Sequence, residues 1–303
     1  MRIAGFVRLL AMIAWCGGGG AAAAQPPARP LPVGRFVGWT GDGPPIVRYL
    51  SAGLTLTISR AGTVDPDRPA EPRLTVAASG RRPITVLGSP GLMVGQAYVG
   101  VGRDPRGGLF ILFQTYTGGA HCCNYEQVVL VEARRFRRVA LGNFDMEMPG
   151  DFPTDVDGDG RIDFVRLDNR FFYAFASFAG SVAPPQILNI VGGRAVDVSA
   201  APRYRRLFVR AMNEAREDCL TGQGERNGTC AAYVAAAARS GRFDRAWREM
   251  LGAYERGTDW TYPTGCRVAP GPSGCPERQI IRRDFPTALR RFLMRNGYLR
   301  RGG

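Results

Sequence analysis

The spacing of apolar residues changes period once, near residue 200, and that change limits what the chain can fold into. Before it, apolar residues come in short runs punctuated by Gly and Pro, the pattern of strands and turns. Leu54, Leu56 and Ile58 alternate with Thr55 and Thr57, as a half-buried strand requires. The runs 109–116 and 127–131 are almost continuously apolar, which fits strands covered on both faces. Residues 162–167 and 171–178 are expected to form a further strand pair around a turn at Asp168 and Asn169. After Pro202 the spacing becomes that of helices. Tyr204, Leu207, Phe208, Ala211 and Met212 make one stripe, and Cys230, Tyr233, Val234 and Ala237 suggest a second. Phe243, Ala246, Trp247, Met250 and Leu251 mark a third. A last helix is capped by Asp284, carries Phe285, Ala288, Leu289, Phe292 and Leu293, and stops at Gly297. The expected fold is α+β. An N-terminal antiparallel β-rich domain over 35–200, either a partial propeller or an irregular sandwich, precedes a disulfide-stapled helical domain over 201–303.

The first 24 residues read as a secretory signal peptide. Arg2 and Arg8 flank a basic start, residues 9–15 form a short apolar core, and Ala22, Ala23 and Ala24 offer a cleavage site. The apolar run is shorter than the ~20 residues needed to span a bilayer, and no later segment reads as transmembrane. A Pro/Ala linker over 25–34 follows. The expected address is therefore periplasmic or secreted, in a bacterium. Cleavage removes Cys16 and leaves Cys122, Cys123, Cys219, Cys230, Cys266 and Cys275, an even set that reads as disulfides in an oxidising compartment. Local bridges Cys219–Cys230 and Cys266–Cys275 are the simplest pairing, with Cys122 and Cys123 either vicinally bonded or free. In the alternative, Cys122 and Cys123 each reach a different C-terminal cysteine and staple the two halves together.

Residues 155–163 carry the sharpest chemical signal. Asp155, Asp157 and Asp159 alternate, and Asp163 follows after Gly160, Arg161 and Ile162. Such a loop can curl so that the four carboxylates and the backbone carbonyl of Arg161 face one hard cation. Calcium takes 6–8 oxygens at about 2.3–2.6 Å, so this set completed by water suits Ca2+. Gly160 supplies the positive φ of the tight turn. Without a cation the loop repels itself: two unit charges about 4 Å apart cost roughly 1 kcal/mol in water and about 4 at an effective dielectric of 20. The plainer alternative is a solvated acidic turn, because Asp and Gly are also turn formers. An EF-hand is excluded, since its twelfth loop position is Arg166 here and the residues after the loop read as a strand.

A strand-flanked DxDGDGxxD loop resembles the calcium loop of FG-GAP and VCBS-type repeats, the first known from integrin β-propellers. That resemblance implies Asp155, Asp157, Asp159 and Asp163 as side-chain ligands, Arg161 as a main-chain ligand, and a strand beginning at Asp163. It covers about 25 residues. Those families repeat the loop, whereas this chain has one intact copy and, at 103–108, a possible degenerate one without the ligand carboxylates.

A second constellation, Gly118, Gly119, Ala120, His121, Cys122 and Cys123, follows an apolar strand and contains the sole histidine of the chain. It resembles a signature of uncharacterised exported bacterial proteins. Imidazole and thiolate suit zinc or copper, but adjacent residues cannot aim three donors into one tetrahedron. A Cys nucleophile beside His competes with disulfide formation. The structural disulfide reading is preferred.

The chain carries a formal charge of +14, and all 40 basic side chains are Arg. From Arg203 onward 20 Arg stand against 10 acidic residues, compared with 20 against 16 before it. Arg203, Arg205, Arg206 and Arg210 cluster in one helix, and Arg282, Arg283, Arg290, Arg291 and Arg295 in or beside the last. An anionic cell-envelope component or a protein is the expected class of partner; nucleic acid is disfavoured by export and by the lack of a recognised binding motif. No nucleophile elbow is present, so a non-enzymatic recognition or envelope-structural role with a structural Ca2+ is expected. The alternatives are an exported hydrolase built on a carboxylate pair, for which Glu126, Glu132, Asp145 and Glu147 are available, and a binder of anionic envelope polymer or lipid through the Arg-rich half.

Overall fold

The computed structural model describes residues 26–61, 71–89, 95–119, 123–145, 148–262, 265–269, 271–272 and 274–300. The residues read as a signal peptide, His121, Cys122 and Glu147 lie outside them. In chain order the strands are β1 (Ala28–Pro30), β2 (Phe36–Thr40), β3 (Ile46–Ser51), β4 (Leu54–Ala61), β5 (Glu71–Ala78), β6 (Ile84–Leu87) and β7 (Gln96–Arg103). They continue with β8 (Leu109–Tyr116), β9 (Asn124–Val131), β10 (Phe136–Phe144), β11 (Phe164–Leu167), β12 (Pro185–Val191) and β13 (Arg194–Asp197). Helices α1 (Arg205–Thr221), α2 (Arg226–Ser240) and α3 (Phe243–Ala253) come next, then the short pair β14 (Gly265–Cys266) and β15 (Ile280–Ile281), and α4 (Phe285–Arg295).

These elements stack in layers. A five-stranded sheet in the order β1-β3-β4-β5-β6 faces a second in the order β10-β9-β8-β7-β2. Leu56, Ile58, Leu74 and Val76 of the first pack on Val99, Ile111, Phe113 and Val129 of the second, all at 0% exposure. The other face of the second sheet carries Phe110, Leu112, Val128 and Phe144, which pack on Phe164 and Leu188 of the three-stranded sheet β11-β12-β13. Ile187, on the opposite face of that small sheet, joins the core of the helical layer. The second sheet is thus covered on both sides, which is why β8 reads as a continuous apolar run rather than an alternating one. Face-to-face stacking makes this an irregular sandwich; among the described residues the strands form stacked sheets rather than the blades of a partial propeller. Residues 103–108 are the tight β7–β8 turn, in which Asp104 Oδ1 accepts from the amides of Arg106 and Gly108.

Two expectations are corrected. The linker over 25–34 contains β1, which runs parallel to β3 at the sheet edge, the position where proline is tolerated in a strand. Residues 171–178 are not a strand. They follow a one-turn 3-10 helix (Asn169–Phe171) started by Asp168, whose side chain accepts from the amide of Arg170, and Tyr173 has φ of 57°, which breaks an extended run. The partner of β11 is β12. Phe171 and Phe175 of this stretch are buried in the helical layer instead, while Tyr173 is exposed. Phe171 and Phe175 make edge-on contacts to Phe292, with centroids 4.9 and 5.1 Å apart. Helices α1 and α2 are joined by the Cys219–Cys230 disulfide, and Cys266–Cys275 closes the loop before α4. Asp284 caps α4 by accepting from the amide of Thr287 at 3.0 Å. Among the described residues no helix is long and apolar enough to cross a membrane.

Candidate metal centre

The acidic loop joins Thr154 to Asp163, which face each other across an isolated antiparallel bridge. Within it the carboxylates organise the backbone. Asp155 is the hub: its Oδ1 accepts from the amides of Gly158 (2.8 Å) and Asp159 (3.1 Å), and its Oδ2 from the amide of Gly160 (2.9 Å). Asp157 Oδ1 accepts from the amide of Asp159 at 3.0 Å, and Asp159 Oδ1 from that of Arg161 at 2.9 Å. These side chain-to-backbone bonds, the habit of Asp in turns, wind the chain around its own acids. Gly160 sits at φ of 81°, and a Cβ there would lie 3.0 Å from the Arg106 guanidinium, so both conformation and space call for glycine.

The winding brings Asp155, Asp157 and Asp159 together. One carboxylate oxygen from each lies within 4.8 Å of the others. At that range like charges repel by several kcal/mol at an effective dielectric of ~20, and the fold places cations against them. Arg203, at the entry to α1, pairs with Asp157 and, at 3.6 Å, with Asp159. Arg106, from the β7–β8 turn, donates to the carbonyl of Asp159 at 3.0 Å. Three oxygens converging from alternate residues are a hard-cation donor set.

Asp163 does a different job from its three neighbours. It is buried behind the loop, where Oδ2 accepts from the amide of Val156 (2.8 Å) and Oδ1 from Asn189 Nδ2 (2.6 Å) and the Tyr204 hydroxyl (2.5 Å). One carboxylate therefore ties the loop to β12 and to the first turn of the helical layer. Arg161 is exposed beside the loop. Tyr204, Asn189, Arg203 and Arg106 were not legible as partners of the loop in the sequence. Arg203 and Tyr204 stood out only as a basic cluster and a helix stripe, and Asn189 and Arg106 gave no signal.

A second charged cluster is buried between the second and third sheets. The Arg166 guanidinium on β11 holds the Glu126 carboxylate on β9 through contacts of 2.7–3.0 Å, with both side chains at most 1% exposed. Gln114 and Asn124 each add an amide donor to Glu126 at 3.0 Å. Burial holds the pKa of Glu126 above the ordinary glutamate value, against the pull of Arg166 and Gln114. Glu132 is instead a surface partner of Arg135 and Arg137.

Four of the six expected cysteines pair locally, as the simplest scheme has it, so Cys122 and Cys123 do not staple the halves together. Cys123 is itself disulfide-bonded. Its amide donates to Thr117 Oγ1 at 2.8 Å, closing the β8–β9 hairpin.

Residues 206–297 match the family model described as the sll0997 C-terminal domain. Over 193 residues, 62% of this chain, the sequence is 38% identical to the probable thylakoid lumen protein sll0997 of Synechocystis sp., covering 56% of that protein. It is 31% identical over 191 residues to the uncharacterized protein y4bJ of Sinorhizobium fredii, covering 30% of it. The chain thus spans little more than half the length of one curated relative and under a third of the other. No solved structure matches. The match to the sll0997 C-terminal domain falls on the helical half, from α1 to α4.

Proposed function

We propose that this is an exported, non-enzymatic protein of a lumenal or periplasmic compartment, with a recognition or structural role, and that its acidic loop takes one Ca2+ as a permanent clasp. The observation that carries the reading is the convergence of Asp155, Asp157 and Asp159, within 4.8 Å, on a loop whose backbone is wound by those same carboxylates. The disulfides and the similarity to a protein named as a probable thylakoid lumen protein support an oxidising compartment outside the cytosol. In this reading Asp155, Asp157 and Asp159 hold the ion with the carbonyl of Arg161, as in the FG-GAP-like pattern. Asp163 either completes the set or keeps its present post behind the loop. The ion relieves the mutual repulsion of the acids and takes over the neutralising task now shared by Arg203.

The test is a thermal melt with calcium and with chelator. Calcium at ~100 times its Kd adds about 2.7 kcal/mol to the folded state, or a rise in Tm of roughly 5–11 °C at ~2–4 °C per kcal/mol for a chain of this size. Asp157→Asn should abolish the rise. Equal melting temperatures with and without calcium would show that Arg203 alone balances the loop, and would end the calcium reading.

A further inference from the structure

The second and third sheets part at one end, beside the acidic loop, and leave a groove of about 330 Å³. Its volume is at the lower end of the ~300–1,000 Å³ of small-molecule sites. Phe110 and Phe164, buried where the two sheets meet, form its floor, with ring centroids 6.2 Å apart. Leu130 of β9, Ile162 of the loop and Ile190 of β12 form its walls. These three pack on the core shared by the two sheets but are only half-buried, so that core reaches solvent here instead of being sealed. The accessible apolar surface is aliphatic.

Arginines stand around the opening. The Arg106 guanidinium lies over Gly160 and is held there by the carbonyl of Asp159. At the β12–β13 turn the Arg137 guanidinium lies so close over Gly193 that a Cβ would collide with it. Glycine at both positions lets a guanidinium rest on the backbone at the rim. Both stay open to solvent: Arg106 is exposed, and the Arg137 side chain is 36% exposed although it pairs with Glu132. Arg161 also lines the groove; it is exposed and makes no ion pair among the described residues. Against these three cations the lining holds one acid, Asp104, whose Oδ1 is occupied by the amides of Arg106 and Gly108. Each kind of ligand would fare differently here. A cationic head would meet three arginines, a small polar anion would leave the aliphatic walls wet, and a plain hydrocarbon would leave the guanidinium groups unused. A carboxylate takes up arginine in paired, charge-assisted hydrogen bonds, and an aliphatic chain attached to it would cover the walls.

We propose that this groove binds an aliphatic carboxylate, its chain against Leu130, Ile162 and Ile190 and its head among the rim arginines. The test is titration of the full chain with octanoate by calorimetry, in buffer freed of divalent ions so that no metal bridges the carboxylate to the acidic loop. That condition also keeps the outcome separate from the calcium reading. The expected result is saturable binding with a Kd between ~10 μM and ~1 mM, with octanol and acetate each at least ~10-fold weaker, because each supplies only half of the contact. Nuclear Overhauser contacts should join the octanoate methylenes to the methyl groups of Leu130 and Ile190. Arg106→Gln and Ile190→Gln should each weaken octanoate at least ~5-fold. Arg248→Gln, an exposed position on α3, should leave it unchanged and so separates this site from diffuse attraction to a basic protein. Circular dichroism and the melting temperature of each variant separate loss of binding from loss of fold, and where one groove variant fails to fold the other decides. Five results would each overturn the proposal. They are no saturable binding at ~10 mM octanoate, octanol or inorganic phosphate binding as tightly as octanoate, absence of the methyl contacts, a folded groove variant that binds like the parent, or an equal loss in Arg248→Gln.

Discussion

The Glu126–Arg166 pair sets up a test in which charge, burial and pH give separable outcomes. Both side chains are at most 1% exposed, and the guanidinium contacts both carboxylate oxygens. Removing one partner leaves the other buried and uncompensated, which costs about 3–5 kcal/mol, a fall in Tm of roughly 6–20 °C at ~2–4 °C per kcal/mol. The two single substitutions should then diverge with pH. In Glu126→Gln the stranded Arg166 stays protonated at any working pH, so the variant gains nothing on acidification and its deficit does not shrink. In Arg166→Met the stranded carboxylate can take up a proton, because burial already holds its pKa above the ordinary value of 4.5. A carboxyl raised in the folded state binds its proton more tightly there than when unfolded. Its protonation therefore supports the fold below 4.5, and that support is lost as pH rises through the folded pKa. The Arg166→Met deficit should accordingly shrink on acidification while the Glu126→Gln deficit does not. The double variant removes both charges and should recover much of either single loss. Urea denaturation across a pH series, with m checked for constancy, reads all of this. A Glu126→Gln cost below ~1 kcal/mol, or a double variant whose cost equals the sum of the singles, would refute the claim that the pair is a buried coupled unit.

Other outcomes follow from the same geometry. Tyr204→Phe deletes a hydroxyl that donates to the buried Asp163 carboxylate at 2.5 Å, and should cost about 1.5–3 kcal/mol by denaturation; a loss under ~0.5 would mean that the amide of Val156 and Asn189 suffice. Glu249, gripped by Arg216, Tyr233 and Arg245, has its pKa pulled down to about 2. A carboxyl lowered by folding contributes stability that is present above the unfolded value of 4.5 and is lost as pH falls toward 2. Glu249→Gln should thus be destabilising at neutral pH and converge on the parent protein in acid, and a deficit independent of pH would contradict this.

What the sequence revealed and what it hid have physical causes. Strands covered on one face alternate, as in β4, and strands covered on both run apolar throughout, as in β8; both signals are local and were readable. So were the capping of α4 by Asp284 and the Cys219–Cys230 staple, each set by residues close in sequence. The aromatic run 171–178 misled because aromatic content is shared by strands and buried turns; what decided its fate was Phe285, Phe292 and Tyr298, more than a hundred residues away. The acidic loop was visible as a donor set, yet the role of Asp163 as the tie between loop, sheet and helix was not. Its partners Asn189 and Tyr204 lie 26 and 41 residues downstream. The Glu126–Arg166 pair, 40 residues apart, was invisible for the same reason.

The core beneath the helices includes Phe171, Phe175 and Ile187 from the sheet side of residue 200. The segment 206–297 that matches a family model is therefore not a detachable unit in this chain. Severed at that boundary, the helical part would turn an aromatic socket outward, the kind of apolar patch that drives association. Exchange of the helical half for a foreign module would have to supply new packing for Phe171 and Phe175 at the same stroke.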